Sequence, residues 1–104
     1  MKRACLVVGL CLSLASPVLA DGAADARTYF EVGAKAYKVG EYTNAIQAFE
    51  EAYRRSNRPG LLFSIAQAHR MEYFARNDPA RLRDAVRYYQ TYLAAEPKGK
   101  RAAE

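Results

Sequence analysis

The stretch Tyr42-Thr43-Asn44-Ala45-Ile46-Gln47-Ala48-Phe49-Glu50-Glu51-Ala52-Tyr53 decides the fold. Its stripe-forming apolar positions are Tyr42, Ala45, Ile46, Phe49, Ala52 and Tyr53. Forty residues later stand Leu82, Ala85, Val86, Tyr89, Tyr92 and Leu93. Both sets step by 3, 1, 3, 3 and 1, the spacing of one buried stripe on an α-helix. A match at a fixed offset points to an internal repeat.

Working outward, Ala26, Tyr29, Phe30, Gly33, Ala36 and Tyr37 recur at helical spacing before this stretch. Asp21 to Asp25 reads as a short lead-in, with Asp21 or Asp25 capping the helix that follows. Gly40 is placed to end that helix in a left-handed cap. A second helix is predicted from about Tyr42 to Ser56, with Glu50–Arg54 and Glu51–Arg55 as i, i+4 pairs worth about 0.2–0.5 kcal/mol each. Asn57-Arg58-Pro59-Gly60 then signals a turn. A third helix is predicted from near Pro59 to about Arg76, with Leu62, Ile65, Ala66 and His69 on one face. Asn77-Asp78-Pro79 restarts the chain, with Asp78 as N-cap and Pro79 at the first helical position. The fourth helix runs to about Glu96, before Pro97 and Gly99. Sustained alternation and hairpin turn pairs, the marks of strands, are missing from the sequence. The expectation is all-α: two antiparallel helix hairpins, about 26–58 and 59–97, and a short basic tail over 98–104.

The N-terminus has a different grammar. Lys2 and Arg3 precede an apolar run from Ala4 to Leu14, and Val18-Leu19-Ala20 offers small residues at the cleavage-defining positions. The run is too short for the roughly 20 residues of a membrane span, so residues 1–20 read as a secretory leader rather than an anchor. Cleavage near Ala20 leaves a periplasmic or secreted chain with no membrane span. Both cysteines, Cys5 and Cys11, depart with the leader, so the exported chain carries no thiol. Losing Lys2 and Arg3 lowers the formal charge from +5 to +3. That mild, dispersed excess does not argue for a nucleic-acid partner.

Catalytic constellations are not found. The single histidine, His69, falls at a packing position. Ser56 and Ser64 lack a nucleophile-elbow context, and Gly33, Gly40 and Gly60 are isolated rather than grouped in a phosphate loop. Clusters with metal-ligand spacing are also missing. The expectation is a non-enzymatic protein without cofactor or metal.

At Val32-Gly33, Gly40-Glu41-Tyr42, Ala45, Phe49 and Ala52 the chain resembles the tetratricopeptide repeat (TPR) family. Tyr29 stands at the pattern's large position. Ala36 occupies an aromatic site, with Tyr37 next to it, and Pro59 comes about two residues late. In the second unit Leu62, Ile65, Ala66, His69, Ala85, Tyr89 and Pro97 fall at the corresponding sites. The resemblance covers about Ala26 to Pro97 and implies a short α-solenoid. Gly33 and Ala66 would sit where the helices of a pair come closest, facing Ala45 and Ala85, with Phe49 and Tyr89 filling the gap beyond. First-helix landmarks repeat at 33 and second-helix landmarks at 40, so seven extra residues lie between His69 and Ala85. One added turn on each helix takes about 7.2 residues. This predicts a longer second hairpin closed at its tip by Tyr73, Phe74 and Leu82; a seven-residue loop is the alternative. Tyr92 replaces the small residue of the first unit. It is expected to block docking of a further helix, leaving Tyr88, Tyr92 and Leu93 to be covered by another molecule or by a helix beginning at Arg101.

The resemblance also implies a function. First helices of such pairs line a concave groove that holds peptides. Here that face is Arg27, Phe30, Ala34, Tyr37 and Lys38, then Phe63, Gln67, Arg70 and Met71. The carboxylate clamp of some relatives is absent, since Phe30, Ala34 and Ser64 occupy its sites. The groove is expected to be aromatic with a basic rim and to take a protein or peptide partner. A plainer role for Phe30 and Phe63 is packing one pair against the other. The implied function is a non-catalytic interaction module of the bacterial envelope. The alternative is a self-associating structural subunit, a homo-oligomer through the open C-terminal end.

Overall fold

Four helices follow in order: α1 (Val18–Lys38), α2 (Tyr42–Ser56), α3 (Pro59–Arg76) and α4 (Pro79–Ala95). The structure, a computed structural model, describes residues 18–96; for 18–21 and 23 it describes the backbone only. The leader therefore lies outside the described residues except for its last three positions, and the 98–104 tail lies wholly outside them.

Turn chemistry sets the boundaries. Gly40 takes φ +86°, with its N–H bonded to the Tyr37 carbonyl and the Glu41 N–H to that of Ala36. This double closure satisfies the last carbonyls of α1 and needs a residue without Cβ at Gly40. Asn57 and Asn77 end α2 and α3 in the same left-handed region, at φ 54° and 55°. Asparagine is among the few side chains that tolerate it. Pro59 and Pro79 open α3 and α4, where their missing N–H costs nothing. The Asp78 carboxylate accepts from the Ala80 N–H at 3.0 Å, the expected N-cap.

The helices pack as an α1·α2 hairpin and an α3·α4 hairpin, joined by α2 against α3. No strand occurs among the described residues. The four small residues are where close approach requires them: Gly33, Ala45, Ala66 and Ala85 are all buried. Phe49 fills the space opposite Gly33 within a core of Ala36, Ala45, Ile46, Ile65 and Ala68. As the middle helix, α3 buries a wide face: Leu61, Leu62, Ile65, Ala66, Ala68, His69 and Glu72. Only two residues, Asn77 and Asp78, separate α3 from α4, so the extra length went into helix and the seven-residue loop is excluded.

Five local expectations are corrected. The segment Asp21 to Asp25 is helical, because Ala20, Ala23, Ala24 and Ala26 favour continuing the helix. Asp25 does not cap it; its carboxylate pairs with Arg55 at 3.1 Å. Glu50 does not pair with Arg54. Glu51 holds both Arg54 and Arg55, and Glu50 turns to accept the Tyr88 hydroxyl at 3.0 Å. The hairpin tip is not closed: Phe74 and Leu82 are exposed, since a two-residue turn has no chain to fold over them. Finally, Tyr92 is buried, 5.5 Å ring to ring from Phe63, so it fills its own hairpin, and Tyr88 is half-buried. Of the end residues named above, Leu93 stays exposed.

Candidate binding groove

Between α1 and α3 lie two adjoining clefts that share Phe30, Phe63 and Ser64. The larger, about 440 Å³, is walled by Ala26, Arg27 and Phe30 from α1 and by Gly60, Leu61, Phe63 and Ser64 from α3. Ser56 and Arg58, at the end of α2 and in the turn after it, complete this wall. The smaller, about 250 Å³, continues along Ala34, Tyr37 and Gln67 with Phe49 among its walls.

Each aromatic wall is braced from behind by its own hairpin. The Phe30 ring lies 5.5 Å from Phe49 of α2. The Phe63 ring meets Tyr89 at 5.6 Å and Tyr92 at 5.5 Å, both edge-on. Edge-on pairs at this spacing suit the ring quadrupoles and hold the rings in orientation. Phe30 and Phe63 therefore pack within their pairs while also facing the clefts. Gln67 is fixed too: its Oε1 accepts from the Tyr89 hydroxyl at 2.7 Å and from Arg70 Nη1 at 2.8 Å. Tyr37 stands edge-on to Tyr42 at 5.4 Å, and burial pushes its hydroxyl pKa up.

Of the nine residues expected on this face, Arg27, Phe30, Ala34, Tyr37, Phe63 and Gln67 wall the clefts. Lys38, Arg70 and Met71 do not. Arg70 instead binds Gln67 and lies 5.6 Å over the Phe74 ring. Arg58 was missed because helix periodicity says nothing about a turn residue. Phe74 was assigned to the hairpin tip, although its spacing from Phe63, Gln67 and Arg70 continues their ridge.

No family model matches the chain. Neither the curated proteins nor the solved structures give a match. The groove must therefore be read from its own chemistry. Among the described residues its charged walls are Arg27 and Arg58, and no carboxylate lines either cleft. Among the described residues no group of three or more His, Cys, Asp or Glu is placed to hold a metal ion. No described helix is long and apolar enough to cross a membrane.

A second polar cluster lies at the seam of the hairpins. There His69 is buried and stacks on Tyr88 at 5.4 Å. Neither ring nitrogen has a hydrogen-bond partner, and the Asp84 carboxylate stands 3.9 Å from Nδ1. Glu50 of α2, and Arg81, Asp84, Arg87 and Tyr88 of α4, line this cavity of about 270 Å³. Burial lowers the His69 pKa below its ordinary 6.5, outweighing the pull of Asp84. Below pH 6.5 the unfolded chain therefore takes up a proton that the folded chain refuses. Stability is expected to be full above pH 6.5 and to fall with pH until the native imidazole also protonates. Urea midpoints at pH 7 and pH 5 check this. His69→Phe, which keeps the stacked ring, should flatten the difference. Asp84 is held below its ordinary 3.8 by the Arg87 hydrogen bond, so its own effect belongs to a more acidic window.

Proposed function

We propose that the protein is a non-catalytic interaction module, a two-unit TPR-like adaptor exported to the bacterial periplasm or envelope, which holds a segment of a partner protein between α1 and α3. The observation that carries this reading is the pair of adjoining clefts walled by braced aromatic rings, with two arginines in the wall of the larger. Aromatic and arginine side chains in such a setting are the residue types that dominate binding energy at interfaces. Export rests on the N-terminal leader, and the family reading on the repeat pattern and the paired helices.

Ala34 supplies the test. It is exposed on the groove side of α1 and walls the smaller cleft, so Ala34→Arg fills the groove without entering the core. The variant should keep its helical circular dichroism and lose partners crosslinked from the native envelope, by tenfold or more. Unchanged capture would remove the groove from the proposal. The mass of the exported protein tests the leader: retention of residues 1–20 would contradict it.

A second reading, self-association, has one observation in its favour. Leu82, Val86 and Leu93 form an exposed stripe on α4, each more than 40% accessible. Light scattering after size exclusion separates the readings, since a monomer at micromolar concentration counts against self-association.

A further inference from the structure

We infer that the segment held in this groove is acidic and carries a large apolar side chain, which enters between Phe30 and Phe63 while flanking carboxylates meet Arg27 and Arg58. The inference rests on the groove reading above and adds the chemical class of the ligand.

Charge pairing across the molecule supports it. Five arginines, Arg54, Arg55, Arg76, Arg81 and Arg87, are held by carboxylates of the chain itself. Arg70 is engaged by Gln67 and the Phe74 ring. Arg27, Arg58 and Arg83 have no such partner among the described residues; Arg83 is on the exposed face of α4, whereas Arg27 and Arg58 stand together in the wall of one cleft. A basic, apolar-floored cleft with no carboxylate among its described walls favours an anionic ligand and repels a cationic one. Guanidinium forks match carboxylate geometry, and pairing improves as the apolar anchor displaces water from the cleft. Phe30, Leu61 and Phe63 provide that apolar floor. The adjoining cleft, reached past the same two phenylalanines, takes a neighbouring side chain along Ala34 and Tyr37. Asp25 and Glu31 are the nearest carboxylates along α1, one residue from Ala26 and from Phe30; both are outside the cleft walls, Asp25 paired with Arg55 and Glu31 exposed.

The test uses three fluorescein-labelled decapeptide pools. Each has two central positions randomised among Leu, Ile, Phe and Tyr, flanked by Asp and Glu, by Ser and Gly, or by Lys and Arg. Fluorescence polarisation with the exported chain should show the acidic pool binding at least tenfold more tightly than the basic pool. Its affinity should weaken as salt is raised. Arg27→Glu/Arg58→Glu should abolish or reverse the preference with circular dichroism unchanged, and Ala34→Trp, which fills the adjoining cleft without adding charge, should weaken binding of the acidic pool. If neutral or basic pools bind as tightly and remain sensitive to Ala34→Trp, the acidic class is wrong while the groove reading survives. Binding by none of the pools overturns the inference, and partner capture by the native envelope still decides the groove reading. A dimer dissociated by Ala34→Arg would make a second copy of the chain the occupant, and that too overturns it.

Discussion

Phe49→Ala is expected to lower the unfolding free energy by about 3–5 kcal/mol, enough to unfold much of a domain this small. Phe49 is buried in the core cluster that includes Ile65 and Ala68 of α3, and its ring packs against Gly33 and the Phe30 ring of α1. The complementary change is Gly33→Ala. In an exposed helix it would stabilise by about 0.5–1 kcal/mol. Here the added Cβ would lie 2.6 Å from Cδ1 and Cε1 of Phe49 and 3.2 Å from Cγ. The Phe49 ring cannot simply swing clear, because its root is clamped along with its edge. Overpacking of about 1–3 kcal/mol should therefore win, and Gly33→Ala should destabilise. Gly33→Ala/Phe49→Leu should recover part of the loss relative to additive single changes. Urea unfolding of the four proteins measures the cycle. A stabilised Gly33→Ala would mean that the two helices are not in the close contact described.

Thr43→Val is expected to cost about 1.5–3 kcal/mol, although a single hydroxyl is replaced by a methyl group. The Thr43 hydroxyl donates to Glu72 Oε2 at 2.8 Å, joining α2 to α3 across the boundary between hairpins. Glu72 is only 3% exposed. Its other partner on that oxygen is Nε of Arg76, 2.8 Å away, whose side chain is largely in water. Removing the hydroxyl leaves a buried carboxylate with one mobile counter-charge, and the cost is that of under-solvating an anion. Replacing both ends by apolar groups should relieve it. Thr43→Val/Glu72→Met is expected to be clearly more stable than Thr43→Val alone. Equal stability of the two variants would show that Glu72 is solvated in solution.

The parts of this structure that sequence disclosed are those governed by neighbours in the chain. Pro59, Asn77-Asp78-Pro79 and Gly40 mark helix ends by backbone chemistry that acts over a few residues. The bounds of α2 to α4 follow to within a residue. The small residues at Gly33, Ala45, Ala66 and Ala85 were legible because close helix approach admits little else. What escaped was set by partners far along the chain. Asp25 looks like a cap, but Arg55 claims it from thirty residues away. Glu50 sits at the right spacing for Arg54, but the Tyr88 hydroxyl reaches it from thirty-eight residues away. Glu72 was readable in principle: it falls seven residues after Ile65 and three after His69, on the buried stripe of α3. A carboxylate there announces a buried polar partner without saying which. In the groove, the family resemblance pointed to a face on α1 and α3, six of whose nine residues wall the clefts, and the turn residue Arg58 could be found only once the helices were in place.

The phenol of Tyr88 bridges from α4 to the carboxylate of Glu50 on α2, behind the helices whose other faces bound the clefts. That bridge works like the back strap of a pair of tongs. It ties the second hairpin to the first alongside the packing of α2 on α3. Neither residue lines either cleft, so a ligand seated there would leave this strap in place.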